Sequence, residues 1–254
     1  MKKNLSGAGL EAVSLPLGLG EVHPMSATEV LDFFAENGRA PRIIANLNLH
    51  GLYLREVNSQ FRAYCEGADV VLVDGFPVLV LAMIGASQHI ESKRRIGSTD
   101  WVIPLIELDS SIRVVAVGGS AHTATKASLN VNSRTANMSW LAYDGFDFSF
   151  CSEGPEVSLT EALRGADLVL VGMGMPFQEQ WIVKNLDLAP NATFANVGGL
   201  FDYLGGAQRL APRWIGSLGL EWAYRVALAP RRLGKRYFVE PIKLARFVCR
   251  RLLL

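Results

Sequence analysis

The stretch Gly67-Ala-Asp-Val-Val-Leu-Val-Asp-Gly75 places four consecutive apolar residues, Val70–Val73, directly before Asp74 and Gly75. A short continuous apolar run that ends in turn residues is typical of a strand buried on both faces of a parallel sheet. Gly165-Ala-Asp-Leu-Val-Leu-Val-Gly-Met173 nearly repeats it. The near-repeat favours a body of two similar halves, about 1–110 and 111–208, although coincidence between two buried strands is an open alternative.

Three further runs have the same character: Arg42–Ala45, Val114–Val117 and Thr193–Ala195. Because helical-looking stretches separate the runs, the sequence predicts an α/β fold with a parallel sheet. Ligands of such folds bind outside the carboxyl ends of the strands. The polar residues and glycines that follow the runs are therefore the first candidates for a site: Asn46, Asn48, Asp74, Gly118, Gly119, Gly172 and Asn196.

The composition is that of a folded protein without a membrane span. Half of the 254 residues are hydrophobic and 19% are charged, and no run of eighteen uncharged apolar residues occurs. Cys65, Cys151 and Cys249 are an odd number and far apart, which favours a reducing cytoplasm over a disulfide framework. The Gly- and Leu-rich segment up to Gly20 imitates a secretory signal only weakly, and we interpret it as a poorly ordered lead-in.

The charge is distributed unevenly. Residues 209–254 contain eleven Lys or Arg against two Glu, a net charge of +9, whereas residues 1–208 carry a net charge of −8. After Gly206 no strand pattern is clear, and the spacing predicts a basic helical C-terminal appendage. One helical face carries Lys243, Arg246 and Arg250, and the other carries Leu244, Ala245, Val248 and Leu252.

This pattern predicts contact between the appendage and an anionic membrane surface, with the apolar face entering the acyl boundary. A solvated basic helix is the alternative. The acidic body argues against nucleic-acid binding, which needs an extended basic surface.

Several kinds of site are disfavoured by the sequence. The four histidines lack metal-ligand spacing, and the sequence has no H-E-x-x-H, Asp-x-Asp or G-x-S-x-G. Val117-Gly-Gly-Ser120 falls short of a dinucleotide fingerprint and is better explained as a tight turn. We therefore predict no catalytic metal and no cofactor.

Several remaining blocks occur together and in order between about Arg42 and Phe238. They are Asp74-Gly75, Arg94-Arg95, Pro176-Phe-Gln-Glu-Gln-Trp181, Gly198-Gly-Leu-Phe-Asp-Tyr203, Ala211-Pro-Arg-Trp214, Gly219-Leu-Glu-Trp-Ala-Tyr-Arg225, Pro230-Arg-Arg232 and Arg236-Tyr237. This set resembles the WecG/TagA/CpsF family of glycosyltransferases. The resemblance implies a Rossmann-like parallel-sheet body of the GT-E type with a helical C-terminal appendage. We place the body at residues 1–208 and the appendage at residues 209–254.

The resemblance further implies inverting, metal-independent transfer of a sugar from a UDP-sugar to a polyprenyl-diphosphate-linked sugar, at the cytoplasmic face of the cell membrane. It makes Asp74 the general base. The residues that it associates with the donor or its diphosphate are Arg95, Gln178, Asp202, Arg225 and Arg232, and the strand-end residues Asn46, Asn48, Gly118 and Gly172 complete the predicted binding site. Two positions depart from the family pattern: Asn46 replaces its usual Thr, and Phe177 replaces the Lys of its P-K-Q-E block.

General chemistry agrees with these roles. Inverting transfer needs a base for the acceptor hydroxyl and positive groups for the departing diphosphate, and arginine forks match phosphate oxygens. Structural alternatives are that Asp74 caps the following helix, or that Glu179 or Asp202 pairs with an arginine of the appendage.

Two other function classes stay open: a non-catalytic, membrane-docked module of a polysaccharide assembly complex and a Rossmann-type oxidoreductase. The sequence is also compatible with a homo-oligomer. The donor could carry glucose, N-acetylmannosamine or its uronic acid.

Overall fold

A computed structural model describes residues 11–36, 41–208, 221–228 and 230–252. Its strands are β1 (Val13–Leu15), β2 (Gly20–Val22), β3 (Arg42–Leu47), β4 (Val70–Val73), β5 (Arg113–Gly118), β6 (Ser139–Tyr143), β7 (Leu168–Gly172) and β8 (Thr193–Asn196). The last six form one parallel sheet in the order β4-β3-β8-β7-β5-β6. The predicted Rossmann-like α/β body is confirmed.

The described part of the chain also contains twelve α-helices. They are α1 (Ala27–Ala35), α2 (Leu49–Val57), α3 (Ser59–Gly67), α4 (Phe76–Gly85), α5 (Ser98–Glu107), α6 (Ala121–Asn132), α7 (Leu159–Arg164), α8 (Phe177–Asn185), α9 (Leu200–Leu204), α10 (Glu221–Leu228), α11 (Pro230–Gly234) and α12 (Glu240–Leu252). Helices α2, α3, α4, α7, α8 and α12 pack on one face, and α1, α5, α6 and α9 pack on the other. The helices on each face enclose a hydrophobic core. The side chains of successive strand residues point alternately into the two cores, so that the apolar runs of these strands are unbroken.

The near-repeat has a structural counterpart. The carboxylate of Asp69, just before β4, accepts a hydrogen bond from the Ile43 N–H of β3 (2.8 Å). The carboxylate of Asp167, just before β7, accepts one from the Arg113 N–H of β5 (2.7 Å). Each aspartate therefore joins its own strand to the start of a neighbouring strand, and both strands end at the same edge of the sheet.

The described part of the N-terminal segment is ordered, so the predicted lead-in is wrong from residue 11 onward. Strands β1 and β2 form an antiparallel hairpin that buries Leu15, Leu19 and Val22. The Arg55 guanidinium donates to the Leu19 carbonyl, and the His23 N–H donates to Val71 at the edge strand β4 (2.7 Å). Burial of these apolar side chains outweighs the flexibility of the glycines. Residues 1–10 lie outside the described part.

The described parts of the C-terminal segment are helical, as predicted. Helices α10 and α11 are followed by a π-helical turn, Lys235–Val239, and by α12. The division of the chain at residues 208 and 209 stays a prediction. In the described ranges, no helix combines the length and the apolar character needed to cross a bilayer.

The expectation that Leu244 and Val248 enter a membrane is wrong. Leu244 is buried in the core on the α2 face of the sheet, and Val248 packs against that core. Leu244 and Val248 therefore dock the helix on the body, whereas Ala245 of the predicted apolar face is exposed. The other exposed residues of α12 include Ile242, Lys243, Arg246, Phe247 and Arg250. The side chain of Leu252 lies outside the description.

Candidate active site

A cavity of about 850 Å³ opens at the carboxyl edge of the sheet. Its walls come from the segments that follow β3, β4, β7 and β8, from the start of α5, and from the C-terminal helices. The polar side chains that line it are Asn46, Asn48, His50, Asp74, Ser98, Thr99, Gln178, Asn196, Asp202, Tyr203, Gln208, Tyr224, Arg236, Tyr237 and Glu240. The cavity thus lies at the carboxyl ends of the strands, where the sequence leads us to expect a site.

Asp74 stands on the cavity wall directly after β4. Its N–H donates to the Leu47 carbonyl (3.0 Å), which extends the pairing of β4 with β3 by one residue. Its carboxylate accepts a hydrogen bond from the Asn48 amide (3.3 Å). Helix α4 begins with Gly75 as its N-cap, at φ +92°, and without a side-chain cap. Asp74 therefore does not cap the helix, and its carboxylate faces the cavity.

Asn48 connects three parts of the site. Its Oδ1 accepts from the Gly51 N–H (3.1 Å) and so caps α2, and the same oxygen accepts from Arg236 Nη2 (3.0 Å). Its amide nitrogen donates to Asp74. One side chain consequently fixes both the carboxylate of the body and an arginine of the C-terminal segment.

His50 and Glu240 form a second link between the body and the C-terminal segment. His50 Nδ1 lies 2.5 Å from Glu240 Oε2, and both residues line the cavity. Burial lowers the pKa of His50, the positive charge of Arg236 lowers it further, and the bond to Glu240 opposes both effects. Tyr237 completes this side of the cavity.

A buried amide network lies at the ends of β3 and β8. The backbone N–H of Asn46 donates to Asn196 Oδ1 (2.6 Å), and the side-chain amide of Asn46 donates to the Asn196 carbonyl (2.6 Å). The amides of Asn196 and Gln178 both donate to Glu179 Oε1, each at 2.7 Å. Gln178 Oε1 accepts from the Gly174 N–H (3.2 Å), which ties the loop after β7 to the network.

Glu179 is the acid at the centre of this network. It is 1% exposed, and its Oε2 is buried without a hydrogen-bond partner among the described residues. Burial raises the pKa of Glu179 to about 7, even though the hydrogen bonds from Gln178 and Asn196 favour the ionised form. A carboxyl group with this pKa exchanges its proton near neutral pH.

The structure brings together six of the predicted site residues: Asn46, Asn48, Asp74, Gly172, Gln178 and Asp202 all line the cavity. Arg95 and Gly118 lie outside the lining. A Cβ on Gly118 would stand 2.4 Å from the Gly172 carbonyl oxygen, so the glycine is required where β5 and β7 meet. The side chains of Arg225 and Arg232 lie outside the described part of the chain.

Other predicted features have structural explanations. Arg94 forms an ion pair with Glu29 (2.9 Å) and donates to the Pro24 carbonyl (2.6 Å), which secures the start of α1. Phe177, which replaces the family's Lys, is 65% exposed and lies outside the cavity lining. The Asp202 carboxylate accepts from Gln208 (2.9 Å) and faces the cavity.

The sequence-based site omitted residues whose roles depend on distant contacts. Arg236 belongs to the Arg236-Tyr237 block and Asn196 is a strand-end candidate, but the predicted set of binding residues includes neither of them. Nothing in the sequence pairs His50 with Glu240, which is 190 positions away. Among the described residues, no group of three or more His, Cys, Asp or Glu is arranged to hold a metal ion.

The fold and the site together define a Rossmann-like protein with a polar-lined cavity at the carboxyl edge of a parallel sheet. The chain belongs to the glycosyl transferase WecG/TagA/CpsF family, whose model matches residues 16–254. This confirms the resemblance drawn from the sequence blocks.

Two relatives carry the same name, N-acetylglucosaminyldiphosphoundecaprenol N-acetyl-beta-D-mannosaminyltransferase. The one from Bacillus spizizenii is 27% identical over 177 residues, which cover 69% of this chain and 66% of the relative. The one from Staphylococcus aureus is 24% identical over 199 residues, which cover 77% of this chain and 72% of the relative.

Proposed function

We propose that this chain is an inverting glycosyltransferase that moves a sugar from a UDP-sugar to a polyprenyl-diphosphate-linked sugar. The observation that carries the proposal is the hydrogen-bonded series Asp74–Asn48–Arg236 on the cavity wall. It holds a carboxylate and a guanidinium in one cavity, and these are the two groups that the reaction needs. The names of the relatives support an acceptor of the N-acetylglucosaminyl diphosphoundecaprenol type.

In this proposal Asp74 removes the proton from the attacking acceptor hydroxyl. The hydroxyl oxygen forms the new bond to the anomeric carbon as the bond to the nucleoside diphosphate breaks, so the configuration at that carbon inverts. Asn48 keeps the carboxylate oriented toward the cavity through its 3.3 Å hydrogen bond. Positioned proton transfer of this kind contributes about 10²–10⁴-fold to a rate.

The negative charge that develops on the departing diphosphate requires a positive partner. Arg236 lines the cavity and is held by Asn48, so we assign this role to it in place of Arg95, which lies outside the lining. Arg225 and Arg232 stay predictions drawn from the family resemblance. Asp202 can accept a hydrogen bond from a donor hydroxyl, and Gln178 can donate to an oxygen.

The test is UDP release by the purified full-length chain, given a panel of UDP-sugars and a short-chain polyprenyl-diphosphate N-acetylglucosamine. We expect transfer from one donor of the panel, such as UDP-N-acetylmannosamine. Asp74→Asn keeps shape and hydrogen bonding but removes the base, so kcat should fall about 100-fold or more while the affinity for UDP changes little.

Asp32→Asn is the control, because Asp32 is an exposed residue of α1 outside the cavity lining. It should keep the activity of the unaltered chain. Near-normal turnover by folded Asp74→Asn would remove Asp74 from the role of base, and no transfer from any donor would refute the proposed reaction.

A further inference from the structure

Helix α4 is apolar on all sides, although one face of it is open to solvent. Its sequence, Phe76-Pro-Val-Leu-Val-Leu-Ala-Met-Ile-Gly85, contains no polar side chain. Val78, Leu79 and Ala82 are buried against the body. The opposite face, which we name the α4 stripe, consists of Phe76 (49% exposed), Val80 (36%), Met83 (38%) and Ile84 (66%). Surface helices normally carry polar residues on this side, and a contiguous apolar patch marks an interaction site.

The α4 stripe begins at the catalytic cavity. Phe76 follows Asp74 by two residues, and Asp74 lines the cavity wall. With a helical rise of about 1.5 Å per residue, the stripe then runs roughly 12 Å from Phe76 to Ile84. A membrane in contact with the stripe would therefore lie beside the cavity, within reach of a lipid-linked molecule whose hydroxyl reacts at Asp74.

Basic side chains occur on the same side of the molecule. The buried residues Leu79 of α4 and Leu244 of α12 belong to one core, on one face of the sheet, so the outer faces of the two helices lie over that same sheet face. Both helices also contact the turn Pro16–Gly18, which therefore links them on this side of the molecule. The exposed residues of α12 include Lys243, Arg246 and Arg250.

We propose that the α4 stripe inserts into the acyl boundary of a membrane while the basic residues of α12 meet its anionic headgroups. The combination of an apolar stripe with neighbouring cations complements an anionic lipid surface. The α4 stripe supplies the larger apolar part, because Leu244 and Val248 of α12 pack on the body, which leaves Ile242 (58%) and Phe247 (36%) as the exposed large apolar side chains in the described part of that helix. The inference rests on the proposed function insofar as a lipid-linked acceptor explains why this surface adjoins the cavity.

A second copy of the chain is a less suitable partner for the α4 stripe than a membrane. Stable subunit interfaces use about 20–30 residues on each side. The α4 stripe offers four side chains of one short helix, and the flanking positive charges of α12 would face the same charges on a symmetric partner.

The experiment compares two full-length double variants in sedimentation with vesicles of phosphatidylcholine and phosphatidylglycerol. Val80→Gln with Ile84→Gln alters the stripe. Leu108→Gln with Leu129→Gln is the matched control, since these residues are 62% and 39% exposed and lie at the end of α5 and on α6, over the other sheet face. We expect the stripe variant to bind at least about tenfold more weakly and the control to bind like the unaltered chain.

Sedimentation is measured without substrate, so it tests the stripe whether or not sugar transfer is observed. UDP release with a soluble short-chain acceptor should be unchanged in the stripe variant, because none of the altered side chains lines the cavity. Equal vesicle binding by the stripe variant and the unaltered chain would overturn the inference. So would a change in oligomeric mass with unchanged vesicle binding, because the stripe would then be a subunit contact.

Discussion

At the scale of single residues, Glu179 is one group that makes the stability of the folded chain depend on pH. Its pKa is raised from 4.5 to about 7 in the folded chain, so the folded state holds this proton over a pH range in which the unfolded state has lost it. The stabilisation is complete below the unfolded pKa and is lost as pH rises through the folded pKa. Stability should therefore fall by roughly 1–3 kcal/mol between pH 5 and 7.5 on account of this group, since one pKa unit corresponds to about 1.4 kcal/mol.

Glu179→Gln should remove that dependence while preserving an acceptor for Asn196 and Gln178. Urea unfolding at pH 5 and pH 7.5 measures it, with Glu107→Gln, an exposed residue of α5, as the control. If Glu179→Gln and the unaltered chain lose the same free energy of unfolding over this range, Glu179 is ionised throughout.

Arg236 is the residue on which donor affinity should depend. It reaches the cavity through its hydrogen bond to Asn48, whereas Arg246 is an exposed arginine of α12 outside the cavity lining. Charge-assisted hydrogen bonds to phosphate contribute about 1.5–3 kcal/mol each. Arg236→Gln should thus weaken UDP binding about tenfold or more, and Arg246→Gln should leave it unchanged.

Isothermal titration with UDP in buffer containing EDTA tests this role, because an arginine that holds the diphosphate does so without a metal. Binding that disappears with EDTA and returns with Mg²⁺ would contradict it. Equal affinities for the two arginine variants would place the diphosphate elsewhere.

At the scale of elements, the strands that could be predicted are those with β-branched runs. Strands β3, β4, β5, β7 and β8 all combine such a run with a turn residue. Strand β6, Ser139-Trp-Leu-Ala-Tyr143, was not predicted because it contains no β-branched residue. The turn residues Asp144-Gly145 that follow it are not a sufficient signal alone. It is an edge strand and is stabilised by burial of Trp140 and Ala142 rather than by local propensity.

Helix α12 shows the opposite case: the helix could be predicted from the sequence, but the contacts of its apolar side chains could not. Its amphipathic spacing sets Leu244 and Val248 apart from the exposed basic residues, but spacing alone does not tell what these two side chains contact. Leu244 meets the core of this same chain. Exposed apolar side chains occur on α4, whose uniformly apolar sequence is typical of a fully buried helix, and at Ile242 and Phe247 of α12.

At the scale of the whole molecule, the site divides into a part that sequence predicts and a part that it does not. Asn46, Asn48, Asp74 and Gly172 follow from one topological rule, that parallel strands deliver their carboxyl ends to one edge. The pair His50–Glu240 and the contact Arg236–Asn48 join residues more than 180 positions apart. Only the docking of the C-terminal helices on the body creates them.

This docking changes what a truncation after Phe238 should do. The sequence pattern predicts that such a chain mainly loses membrane binding. Since the cut removes Glu240 from the cavity and Leu244 from the core, we expect it also to lose UDP release with a soluble acceptor, and to lose stability by roughly 2–5 kcal/mol, the usual cost of removing one buried leucine.

The matched comparison is the full-length chain with Lys243→Gln, Arg246→Gln and Arg250→Gln, which keeps α12 docked and removes only exposed charge. Each cation near an anionic surface contributes about 1 kcal/mol, so binding to anionic vesicles at low salt should fall roughly 100-fold and depend less on salt. Its turnover with the soluble acceptor should match the unaltered chain. A truncated chain that retains full turnover with that acceptor would show that α12 serves attachment alone and that the contacts of Glu240 and Leu244 do not support the site.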